Sequence, residues 1–183
     1  MIWTNKIKPR RTSEETDKIG DDVVSFSGYR IAKGYEMDKP TVAERIAQVF
    51  VLLAVVFCIT NGFFMVLMPL DWYRTVPNVA VTGPANSHFI VDVGLAYGCS
   101  GITLLYGALY PLGRWLALVA GGSWLTVHGI FHVLQFASGH QTTAQFLQDT
   151  PGVLGPPALV IAALAILFST QRMRLASVPR RGP

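Results

Sequence analysis

Four long stretches of the chain are apolar and almost uncharged, and short polar segments rich in Gly and Pro separate them. The first follows Pro40 and Thr41-Val42-Ala43-Glu44, a capping-box pattern that starts a helix. No charge appears from residue 46 to 68, and Pro69 ends the run. Those 23 residues make a helix of about 34 Å, enough to cross a hydrocarbon layer ~30 Å thick. The second stretch follows the Gly83-Pro84 turn and ends at Pro111, the third runs from Arg114 to Gly139, and the fourth follows Pro151. The pattern predicts spans at about 44–68, 86–110, 114–138 and 153–171. Pro156 and Pro157 fall near the start of the last span, where missing N–H groups matter least. The connections, 69–85, 111–113 and 139–150, are short enough to make sequence neighbours antiparallel neighbours. The expected fold is all-α: an integral membrane up-down four-helix bundle at 41–174, with a polar arm at 1–40 and a basic tail at 175–183.

Composition sharpens that picture. Of 183 residues, 51% are hydrophobic and only 14% charged, against roughly 25% in a soluble domain. A mean hydropathy of +0.39 argues against both a soluble enzyme and a disordered chain. Two cysteines exclude a disulfide framework. The arm mixes eight Lys/Arg with seven Asp/Glu through residue 39 and has no apolar core of a signal peptide. It reads as a solvated segment whose short pieces at 2–4 and 23–29 can dock on a surface.

The net charge of +4 looks like a nucleic-acid signal until the charges are placed. Nine Lys/Arg lie in the arm through Arg45, one is Arg114, four follow Thr170, and only Arg74 falls on the other side. That asymmetry predicts cytoplasmic termini in a bacterial cell membrane and outward-facing connections at 69–85 and 139–150. Trp72, Tyr73 and Trp115 fit interfacial anchors, and Asp71 and Arg74 a local ion pair. The bilayer is the expected surrounding, nucleic acid is excluded as a partner, and the arm suits a larger membrane complex or a homo-oligomer.

Ionisable groups inside spans are costly and mark candidate sites. Asp92 is the one carboxylate well inside a span, and His88, His128 and His132 lie in or at the edge of spans. His88/Asp92 and His128/His132 are each spaced i, i+4, on one helix face. Folding the second and third spans about residue 112 sets Asp92 level with His132. Neutral imidazoles and a carboxylate are ligands for a transition ion, copper or zinc ahead of iron. These four residues are therefore the expected metal ligands, with Asn61 and Gln135 placed to hydrogen-bond a ligating histidine. Helix-packing hydrogen bonds, a proton relay and a b-type haem are the alternatives, haem fitting least. Cys58 and Cys99 read as small buried hydrophobes, and Gly94-x-x-x-Gly98 with Gly101 as a close helix contact.

Trp72-Tyr73, Val76-Pro77, Thr82-Gly83-Pro84, Asn86-x-His88-Phe89-x-x-Asp92-x-Gly94-x-Ala96-Tyr97 and the later His128-x-x-x-His132 resemble a group of small four-helix bacterial membrane proteins. The similarity covers residues 45–170 and implies the fold and topology, without an activity. The Asp/His set also resembles, at the level of the site alone, the intramembrane Asp/His/His metal site of particulate methane and ammonia monooxygenases; ligand order and helix number differ. The expected function is metal handling or redox chemistry at a His/Asp site near the outer face. The rival is an accessory subunit in which these residues serve packing.

Overall fold

The computed structural model describes residues 23–26, 29–32 and 39–177, in two units, Met1–Lys39 and Pro40–Pro183. In the first unit, β1 (Val23–Phe26) pairs antiparallel with β2 (Tyr29–Ala32), with Val23 opposite Ala32 and Phe26 opposite Tyr29. β-Branched and aromatic residues of the arm thus form a strand pair, a local order not expected of a solvated segment. The docking piece at 2–4 and the end of the basic tail lie outside the described residues.

The second unit is the helical bundle: α1 (Val42–Leu67), α2 (Pro69–Thr75), α3 (Ser87–Leu109), α4 (Arg114–Ala137), α5 (Thr143–Val153) and α6 (Gly155–Ser177). The capping box forms: Glu44 N–H donates to Thr41 Oγ1 at 3.2 Å and Thr41 N–H to Glu44 Oε2 at 2.7 Å. The four long helices match the expected spans within a few residues. The connections at 69–85 and 139–150 are not plain loops. One holds α2 and a 3-10 turn at Val79–Thr82, and the other holds α5, whose start is a second capping box of Thr142 and Gln145.

Each long helix packs antiparallel on its neighbours, and α1 closes the ring against α6. Gln48 Nε2 donates to the Ala108 carbonyl at 3.2 Å, tying the start of α1 to the end of α3. Glu44 and Arg174 meet at 2.9 Å, so α1 begins and α6 ends at the same side of the bundle. The interior is a 3.5-residue seam of mostly small and aliphatic side chains with one aromatic, Tyr97: Ala47, Val51, Ala54, Cys58 and Met65 on α1, and Ile90, Tyr97, Leu104 and Ala108 on α3. Glycine sets the spacing between these two helices. A Cβ on Gly62 would stand 2.8 Å from the Gly94 carbonyl oxygen, and one on Gly94 2.7 Å from Met65 Cβ. Backbones approach this closely where lipid removes the usual hydrophobic drive and packing must hold helices together. Only 33% of each apolar window is buried, and outward residues such as Leu53, Val56, Phe63, Ile102 and Val127 are large and apolar. A surface of that kind is solvated by acyl chains, and the protein is an integral membrane four-helix bundle.

Candidate functional site

On α4, Trp124, His128 and His132 follow one another at i, i+4 and share a helix face. Trp124 and His128 stack with ring centroids 5.0 Å apart and planes 7° from parallel. His132 meets His128 edge-on at 4.9 Å. Tyr97 from α3 closes the deep end, edge-on to Trp124 at 4.8 Å. His128 is thereby held in an aromatic slot between α3 and α4.

Above this column the partner of His132 is Asp149 on α5, with Nδ1 and Oδ2 3.9 Å apart. The two side chains are 19% and 12% exposed, so the pair is largely shielded. Asp149 is a hub. Its Oδ1 accepts from Asn78 Nδ2 at 2.9 Å, and its Oδ2 accepts from Gln141 Nε2 at 2.9 Å. Asn78 also reaches Gln148 Oε1 at 3.1 Å, from a left-handed backbone position (φ 62°) that Asn tolerates better than most residues. One carboxylate therefore fastens the 69–86 connection and α5 to the end of α4. Stacking of Phe136 on Phe146, with centroids 4.4 Å apart, seats α5 from the other side. Two buried atoms of the group have no hydrogen-bond partner: His132 Nδ1 and Gln141 Oε1.

His88 and Asp92 lie elsewhere. Their side chains are 88% and 57% exposed, and they face each other at 3.4 Å on the outside of α3. The four expected ligands thus form two separate pairs, and Asp149 replaces Asp92 as the carboxylate facing His132. Among the described residues, no three His, Cys, Asp or Glu side chains gather closely enough to hold an ion as they stand. The reason is azimuth. Antiparallel contacts such as Gly121 with Leu104 keep the expected depth. Successive helix residues turn by about 100°, so Asp92, two residues from the buried Ile90 and Gly94, points away from the bundle.

Asn61 is also used differently. Its Oδ1 accepts from Trp72 Nε1 at 3.0 Å, so Trp72 is a half-buried clasp of α2 onto α1 rather than a simple interfacial anchor. Gln135 contributes its backbone carbonyl, accepting from His140 N–H at 2.9 Å. Cys99 is exposed, against expectation, while Cys58 is buried. The Asp71–Arg74 pair is present at 3.7 Å. Asn78 and Gln141 are not expected from the sequence as site residues, and Asp149 only as a loop charge that could guide a cation inward, because all three lie in connections that read as solvated loops. The signals for them were the Thr142-x-x-Gln145 capping pattern and the single acidic residue of that connection.

No protein-family model, curated protein or solved structure matches this chain. The site is therefore read from its own geometry.

Proposed function

We propose that this integral membrane protein binds a transition-metal ion at the end of the bundle, with His132 and Asp149 as its principal ligands. The observation that carries the reading is the buried, unpartnered Nδ1 of His132 facing a shielded carboxylate at 3.9 Å. Two ligand atoms of a tetrahedral zinc ion, each about 2.0–2.2 Å from the metal, lie about 3.4 Å apart. A side-chain adjustment of about half an ångström brings the pair to that spacing. Gln141 Oε1, buried and unpartnered on the residue that already donates to Asp149, is the third donor, and water completes the set. One imidazole with two oxygens favours divalent zinc or copper over softer cuprous copper. His128 lies one turn deeper and orients His132 through ring contact. Because Lys and Arg collect at the opposite end of the spans, the site faces away from the cytoplasm.

Metal analysis of the purified protein after equilibration with Zn²⁺ or Cu²⁺ tests this. An equimolar ion, lost in His132→Ala and Asp149→Ala and kept in His88→Ala and Asp92→Ala, supports it. No ion in the folded wild type reduces the cluster to a latch for α5. Loss in the Asp92 and His88 variants restores the cage centred on α3.

A further inference from the structure

α3 carries two seams of the same period. Ile90, Gly94, Tyr97, Gly101, Leu104 and Ala108 alternate by four and three and face the bundle. His88, Asp92, Leu95, Cys99, Ile102 and Tyr106 alternate in the same way and are exposed. The exposed seam is polar at one end and apolar along the rest. Acyl chains satisfy the apolar part but not the carboxylate. α3 spans about 35 Å, so Asp92, five residues from its start, falls inside a ~30 Å hydrocarbon layer when the helix is centred. Leaving it against lipid is unfavourable, and such residues normally find a protein partner.

From this placement we infer that the exposed seam of α3 is a homodimer interface, with the same seam of a second copy as its occupant. The argument is one of self-complementarity. Copies inserted in one membrane share their orientation, so two α3 helices meet in parallel about an axis along the membrane normal. Each seam residue then faces its own counterpart. The 88 and 92 layers bring two imidazoles and two carboxylates into one polar patch away from the acyl chains, each Asp92 keeping its own His88 at 3.4 Å. Below them, Leu95, Ile102 and Tyr106, which are 54%, 66% and 50% exposed, supply knobs at heptad spacing. Gly98 flanks the seam, and a Cβ placed there meets nothing within 4 Å. The backbone of Gly98 packs toward Gly62, and its Cβ direction is left open. This inference uses only the outside of α3 and does not depend on the metal reading.

Cys99 sits at the middle of the seam and reports on it directly, with Cys58 as a buried control. In liposomes, copper-phenanthroline and dioxygen would take two electrons and two protons from two Cys99 thiols to form an intermolecular disulfide. Facing positions of a parallel seam lie within the ~4.4–6.8 Å Cα separation that this bond needs. The expected result is a cross-linked dimer in wild type and in Cys58→Ser, and none in Cys99→Ser. Moving the thiol to the outside of α1, in Val56→Cys on a Cys99→Ser background, should abolish it. Ile102→Trp and Asp92→Ala should each weaken self-association about tenfold in a dilution assay in lipid, with helical circular dichroism unchanged. Equal cross-linking at positions 56 and 99 means random collision and overturns the proposal. So does a monomer at all dilutions, or capture of a different membrane protein on this face without any dimer through Cys99.

Discussion

Asp149 and Asp92 are both carboxylates beside a histidine, yet their surroundings give them opposite weight. Asp149 accepts from Asn78 and Gln141 and is largely shielded; Asp92 faces His88 at the surface. Removing Asp149 leaves the Gln141 amide without its acceptor, while Asn78 keeps Gln148 and the Gln145 carbonyl, and an orphaned buried donor costs about 1–3 kcal/mol. Asp149→Ala is therefore expected to lower the unfolding free energy by about 2 kcal/mol and to release α5. Chemical denaturation of the detergent-solubilised protein, paired with proteolysis between 139 and 154, measures both. Asp92→Ala should leave that monomer stability unchanged. The same site has a pH signature, because a ligating nitrogen must be free of its proton. Bound ion present at pH 8 should therefore be lost on acidification, as protons compete for the imidazole and the carboxylate, and metal content measured along a pH series checks it. At Trp72, replacement by Phe removes the donor to Asn61 and leaves an amide oxygen in the span without it. A loss of about 1–2 kcal/mol is expected, with α2 more accessible to protease.

The pairing of α1 with α3 depends on missing side chains. The Cβ of Gly62→Ala would collide with backbone at 2.8 Å, and backbone cannot yield as a flexible side chain does. That substitution should cost about 1–3 kcal/mol, the range for overpacked contacts. Gly98→Ala, with open space around its Cβ, should cost far less within one copy. Comparing the two variants in the same unfolding assay separates a close helix contact from general loss of glycine. Gly94 and Gly101 mark the inward face of α3, and a 100° step per residue then puts position 92 outside. Depth follows from counting residues across the 111–113 turn, and the contact of Gly121 with Leu104 agrees with that count. The rotation of each helix depended on which small residues were packed, and i, i+4 spacing alone does not select a face. α5 escaped notice for a different reason. It is short and its Pro151 lies inside the helix, so periodicity is weak, and its stability comes from docking Phe146 and Asp149.

For the molecule as a whole, the charges are uneven about the spans. Arg45, Arg114, Arg172 and Arg174 gather at one side of the spans, and Arg74 stands at the other. A cysteine introduced at Gln148 on a background lacking both native thiols should react with a membrane-impermeant reagent added outside intact cells. One introduced at Leu112, 99% exposed at the opposite end, should react only after the membrane is opened. The reverse pattern inverts the topology and with it the side from which an ion reaches His132. The bundle is closed by α1 against α6, where the Glu44–Arg174 pair is 15% and 44% exposed. A partly screened pair of that kind contributes at most about 1 kcal/mol, so packing along the Val51, Cys58 and Val160 seam rather than this ion pair holds the ends together.

Length and charge-free character of the four stretches, together with proline and glycine between them, were enough to define four spans and their antiparallel order, because a bilayer admits only backbone that satisfies its own hydrogen bonds. Which histidine meets which carboxylate was decided by tertiary structure. That choice depends on helix rotation set by glycine contacts, and on a docked α5 that brings Asp149 to His132 from outside the spans.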